Sequence, residues 1–113
     1  MRVGIVGSRD YPNLDQVERY VAELPPVGYT VVSGGARGVD RAAEASARRH
    51  GLGLDVMKAD WDTYGRRAGM LRNAQLVESV DLLVAFWDGQ SRGTKNAIDH
   101  ARAMVKPFVV VTP

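Results

Sequence analysis

Two short segments concentrate the residue types that hold an anion. The first is Ser33-Gly34-Gly35-Ala36-Arg37-Gly38-Val39-Asp40, between an apolar run and an alanine-rich stretch. Adjacent glycines let a backbone approach a ligand closely and adopt angles closed to other residues. A helix starting just beyond them offers free N–H groups and a positive dipole end. Arg37 brings a forked donor suited to phosphate. The competing reading is a plain glycine turn, with Asp40 capping the helix or orienting Arg37.

The second segment, Trp87 through Thr94, repeats the theme. Gly93-Thr94 opens another helix-like stretch, with Asp88, Ser91 and Thr94 as ligand donors or simple caps. Two glycine-bearing helix starts on neighbouring strands would hold a phosphate and the rest of a nucleotide. Gly7-Ser8-Arg9 follows the first apolar run, and Arg72-Asn73 lies in a third helix-like stretch. Arg66, Arg67, Arg72, Arg92 and Lys95 cluster near these loops, and a solvated basic face is the ordinary explanation for any one of them. Trp61 and Trp87 both follow strands. Either can stack on a base or border the core; for Trp61 the core edge is the expectation.

The catalytic inventory is thin. There is no Cys, hence no disulfide, thiolate metal site or Cys nucleophile. No HExxH, GxGxxG or Walker A run occurs, so neither a metal nor a cofactor is expected. His50 ends a helix and His100 lies inside one without an evident partner. Asp10, Asp40, Asp60, Asp62 and Asp88 occupy strand-end loops, but nothing singles out a general base.

The elements that must position these groups follow from the apolar pattern. Strands are expected at Arg2–Val6, Tyr29–Val32, Leu54–Met57, Asp81–Phe86 and Pro107–Val111. Helices are expected near Leu14–Leu24, Val39–His50, Met70–Val77 and Thr94–Met104, with Asp60–Gly65 a loop. This alternation predicts an α/β, Rossmann-like three-layer sandwich. Its five-stranded parallel sheet has the order 3-2-1-4-5, with helices on both faces. The 113 residues fit one domain over 1–113. The chain is 45% hydrophobic with a net charge of +2, too mild a bias to argue for nucleic acid. No run is long enough to span a membrane and the N-terminus does not look like a signal peptide, so a cytoplasmic setting is expected.

With these motifs in order, the chain resembles the YspA-type (cpYpsA-related) branch of the SLOG superfamily. That superfamily includes the DNA-processing protein DprA and the LONELY GUY (LOG) phosphoribohydrolases. The resemblance rests on Gly7–Asp10, Ser33–Asp40, Ala59–Gly65, Ala68–Asn73 and Gly93-Thr94, across Val3 to Val111. It implies a fold that binds nucleotides or ADP-ribose-like ligands as a sensor or system component, and a homo-oligomer. By position, Arg72 matches the arginine that LOG enzymes place in their catalytic site. The departure is as informative. LOG enzymes carry a glutamate three residues after the threonine, where this chain has Ala97, with Asp99 offered as a substitute. The expectation is therefore nucleotide binding, with a LOG-like nucleotide hydrolase as the first alternative. A DprA-like single-stranded DNA module is the second, disfavoured because the sequence shows no aromatic and basic periodicity of a stacking platform.

Overall fold

The computed structural model describes all residues from Met1 to Pro113. Five parallel strands form one sheet in the order β3-β2-β1-β4-β5, as the alternation of elements predicts. They are β1 (Arg2–Gly7), β2 (Thr30–Ser33), β3 (Gly53–Val56), β4 (Leu82–Phe86) and β5 (Phe108–Val111). The helices are α1 (Leu14–Ala22), α2 (Val39–Arg49), α3 (Trp61–Tyr64), α4 (Ala68–Ser79) and α5 (Arg92–Ala103).

The strands read as continuous apolar runs because both faces of the sheet are covered. Side chains alternate between two cores. Val3, Ile5, Val31, Val84 and Phe86 meet Val17 and Val21 of α1 and Val39, Ala43 and Ala47 of α2. Val6, Val32, Leu83 and Ala85 meet Leu76 and Val77 of α4 and Ala97, Ile98 and Ala101 of α5. The alanines let α2 and α5 lie close to the strands. Tyr11 and Tyr20 close the first core edge-on against Phe86, with centroids 5.9 and 6.0 Å away.

One expectation is corrected. The stretch Asp60–Gly65 is a helical turn, α3, followed by a 3₁₀ turn at Gly65–Arg67. Asp60 accepts a hydrogen bond from the Thr63 N–H at 3.2 Å and caps the turn. Four residues are too few to show a helical period, which hides such a turn in the sequence.

β1 and β4 are adjacent, and the chain leaves them toward opposite faces of the sheet. This reversal opens a crevice beyond their carboxyl ends, the usual ligand position in doubly wound sheets. No helix is long and apolar enough to cross a membrane.

Candidate functional site

A recess of about 440 Å³ opens at that reversal. The β1–α1 loop contributes Gly7, Ser8, Arg9 and Asp10. The β2–α2 loop and the start of α2 contribute Gly34, Ala36 and Asp40. Arg72 and Asn73 come from α4, and Asp88, Gln90, Ser91, Gly93 and Thr94 from the β4–α5 loop and the start of α5. The wall is overwhelmingly polar, with Val6 and Ala36 its apolar members.

Arg72 is the organising group. Its Nη1 donates to the Gly34 carbonyl and its Nε to Asn73 Oδ1 at 3.0 Å. A guanidinium has five N–H donors, so Arg72 keeps donors beyond these two bonds where it lines the recess. Gly34 makes this placement possible. A Cβ there would stand 2.6 Å from Arg72 Nη1 and 3.0 Å from Asp40 Oδ2. Burial pulls the guanidinium's pKa down; the Asp40 carboxylate opposes this and the Arg9 charge adds to it. Asn73 is buried and donates its amide to the Gly93 carbonyl and to Asn96 Oδ1, both at 3.1 Å. It thereby ties α4 to the start of α5.

Asp40 is 5% exposed and accepts from the Ala36 N–H at 3.1 Å. Burial pushes its carboxyl up to about 6, opposed by that hydrogen bond and by the Arg72 charge, while Glu44 pushes the same way as burial. The free site thus holds a carboxylate that gives up its charge under mild acid.

The β4–α5 loop is satisfied mainly from within. Asp88 Oδ1 accepts from the N–H groups of Gln90 and Ser91, at 2.8 and 2.9 Å, which holds its carboxyl below the usual range. Ser91 caps α5, accepting from the Thr94 N–H at 3.3 Å and the Thr94 hydroxyl at 3.0 Å. Ser8 accepts from the Asp88 N–H at 3.3 Å, joining the first and fourth strand-end loops.

Four of the residues singled out in the sequence stand away from the recess wall. Ser33 is fully buried and donates to Glu44 Oε2 at 2.6 Å, tying β2 to α2. Gly35 faces Val56 and Lys58. Gly38 has φ +78°, and a Cβ there would strike the Arg9 carbonyl, so it fixes how closely the two loops approach. Arg37 points to solvent, 65% exposed, and pairs with Asp10 at 3.5 Å. An exposed pair of this kind contributes little stability. Both Arg37 and Arg72 were singled out in the sequence; Arg72, bonded to Gly34 across 38 residues of sequence, stands in the recess wall and Arg37 does not. Ala36 and Gln90 were missed, because their types carry no chemical signal.

Ala97 is 1% exposed in the core under α5. Asp99 does not replace the LOG glutamate: it lies on the exposed face of α5, paired with Lys95 at 2.9 Å and Arg102 at 3.5 Å. His50 caps the end of α2, and His100 lies on α5 outside the recess. The core-edge expectation for Trp61 is corrected, and of the two tryptophans it is Trp87 that borders the core. Trp87 is half-buried against the core, its indole donating to the Ser91 carbonyl at 3.0 Å, whereas Trp61 is 51% exposed.

A Rossmann-like sheet with glycine-shaped strand-end loops around a polar recess defines a doubly wound class of α/β domain. Residues 1–99 match the family described as DNA recombination-mediator protein A. The chain belongs to that family, and with it to the SLOG superfamily. It is 35% identical over 117 residues to the Gene 61 protein of Mycobacterium phage D29, covering 96% of this chain and 94% of that protein. DNA processing protein A from Helicobacter pylori, solved for its single-stranded DNA binding mode, superposes with a TM-score of 0.74 at 22% identity. That match covers 97% of this chain and 64% of the other. DNA processing protein A from Streptococcus pneumoniae gives 0.84 at 17% identity, covering 96% and 49%. The structural-genomics target TM1055 gives 0.72 at 23% identity, covering 95% and 71%. At these identities the superpositions establish the fold. The chain spans about half to two thirds of the two DNA processing proteins.

Proposed function

We propose that this chain binds single-stranded DNA by seating one nucleotide unit in the recess at the β1–β4 junction. The observation that carries it is the placement of Arg72. A guanidinium anchored on Gly34 and Asn73 lines the recess together with Ser8, Arg9, Gly93 and Thr94, and it keeps N–H donors beyond those two bonds. Backbone and side-chain donors at strand ends, with a helix start opposite, suit a phosphate. Family membership and the DNA-binding Helicobacter relative favour DNA over the free nucleotide that the sequence alone put first.

The second reading keeps a free nucleotide or ADP-ribose-like ligand, as expected of the YspA-type branch. The size of the recess is compatible with it, because about 440 Å³ accommodates a small molecule as readily as one unit of a strand. Hydrolysis finds no support in the wall: Asp40 is bound to the loop backbone and position 97 is apolar core.

Fluorescence anisotropy with a labelled oligothymidylate, competed by dTMP, AMP and ADP-ribose, separates the readings. Binding that weakens with salt and falls about 50-fold in Arg72→Ala is the expected outcome. No oligonucleotide binding at low salt, with competitor-type ligands still raising the melting temperature, would leave only the small-molecule reading.

A further inference from the structure

The chain has eight aromatic residues. Six are buried or partly buried, and the two left exposed are neighbours on one turn: Trp61 at 51% and Tyr64 at 48%. Their setting is not that of stray surface groups. The Trp61 ring rests on α4 at Gly69, its Cη2 3.3 Å from where a Cβ of residue 69 would stand. A side chain at 69 would lift the ring, so the glycine lets it settle against the helix. Gly69 precedes Arg72 by three residues, placing the ring about one helical turn, roughly 5 Å along the axis, from the arginine of the recess.

The charge around the ring suits a polyanion. Lys58, Arg66 and Arg67 are exposed on the same segment, with Arg72 at its end. Against these four cations stand Asp60 and Asp62, and Asp60 is engaged in capping α3. An exposed indole on a segment that also carries exposed cations suits a strand whose bases stack while its phosphates are tracked. The exposed Met70 and Leu71 widen the apolar area, and a protein partner or a second copy of this chain is the competing occupant. Continuity with the recess through Gly69 and Arg72, and the surrounding positive charge, favour the strand.

We propose that Trp61, seated on Gly69 and flanked by Arg66 and Arg67, is a stacking platform for the nucleotide next to the one in the recess. This rests on the DNA reading of the recess and extends the site from one nucleotide to at least two. A platform of this kind needs no aromatic periodicity along the sequence, the absence of which had disfavoured DNA there.

The test measures affinity for dTMP and for a dT₁₂ oligonucleotide in wild type, Trp61→Ala, Trp61→Phe and Arg72→Ala, with melting temperatures as a folding control. Trp61→Ala is expected to weaken dT₁₂ about tenfold and leave dTMP unchanged. Trp61→Phe should recover most of the loss, and the indole emission of wild type should be quenched by dT₁₂ and not by dTMP. Equal dT₁₂ affinity in wild type and Trp61→Ala, with Arg72→Ala still deficient, overturns the platform and leaves the recess reading intact. Sedimentation showing that Trp61→Ala dissolves a wild-type dimer, without a change in dT₁₂ affinity, overturns it in favour of self-association. If wild type binds no oligonucleotide at low salt, the recess reading falls and the platform falls with it.

Discussion

The β2–α2 and β4–α5 loops look alike in sequence, both glycine-bearing and both opening a helix, yet they are built differently. The β4–α5 loop is held mainly by its own side chains. Asp88 and Ser91 take up N–H groups, an apolar stem under Ala97 and Ile98 anchors the helix that follows, and Ser8 and Asn73 add one contact each from outside. The β2–α2 loop has bonds of its own, from the Gly35 and Ala36 N–H groups to Ser33 and Asp40, and it takes in addition a charged partner from a distant helix. Arg72 of α4 reaches its Gly34 carbonyl, and Asp40 is kept in a buried position that costs it part of its charge. A loop held mainly by itself is a wall, whereas a loop that borrows a charged partner is where an incoming anion changes the balance.

Three measurements sharpen or break that contrast, beginning with the largest effect. Gly34→Ala puts a methyl 2.6 Å from Arg72 Nη1, the flexible end of a side chain that can swing away. Oligonucleotide affinity is expected to fall about tenfold, from the loss of a charged donor's geometry, while the melting temperature moves by only a few degrees. Equal affinity in titration calorimetry would mean that Arg72 is not the anchor.

Proton linkage comes next. The Asp40 carboxyl titrates near 6, above its ordinary 3.8, so the folded protein binds a proton that the unfolded chain lacks between those values. Its contribution is therefore most unfavourable above pH 6 and is relieved as the pH falls. Affinity for a phosphodiester oligonucleotide should rise roughly fivefold from pH 8 to pH 5, as the carboxylate beside Arg72 loses its charge. Asp40→Asn should flatten that profile and be more stable than wild type at pH 8, by about 1 kcal/mol in urea unfolding. A mutant profile as steep as that of wild type would place the linkage elsewhere.

The smallest binding effect belongs to the other loop. Ser91→Ala removes the α5 cap and should cost about 1 kcal/mol of stability, read by thermal unfolding. Oligonucleotide affinity should change less than twofold. A larger loss of affinity than of stability would make Ser91 a ligand donor and erase the distinction between the loops.

The pattern of strands and helices was legible because the three central strands are buried on both faces and each long helix carries an apolar stripe. The strand order followed from crossover geometry, and with it the edge of the sheet where a ligand belongs. The arginines were not separable in the same way. Arg37 lies in the glycine loop and Arg72 lies 35 positions later; only the folded chain shows one in solvent and the other joined to Gly34. The tryptophans failed for a related reason. A single helical turn at Trp61–Tyr64 leaves no periodicity, so nothing in the sequence indicates which way the indole faces.

The tether from Arg72 to the Gly34 carbonyl has a last consequence. A long cationic side chain in water samples many rotamers, and fixing it at the moment of capture carries an entropic penalty of up to about 2 kcal/mol. Here that ordering is complete before any visitor arrives, because the chain has already bound its own guanidinium across 38 residues of sequence. The arginine is thus ordered in advance, and a guest that matched its position would be spared that penalty.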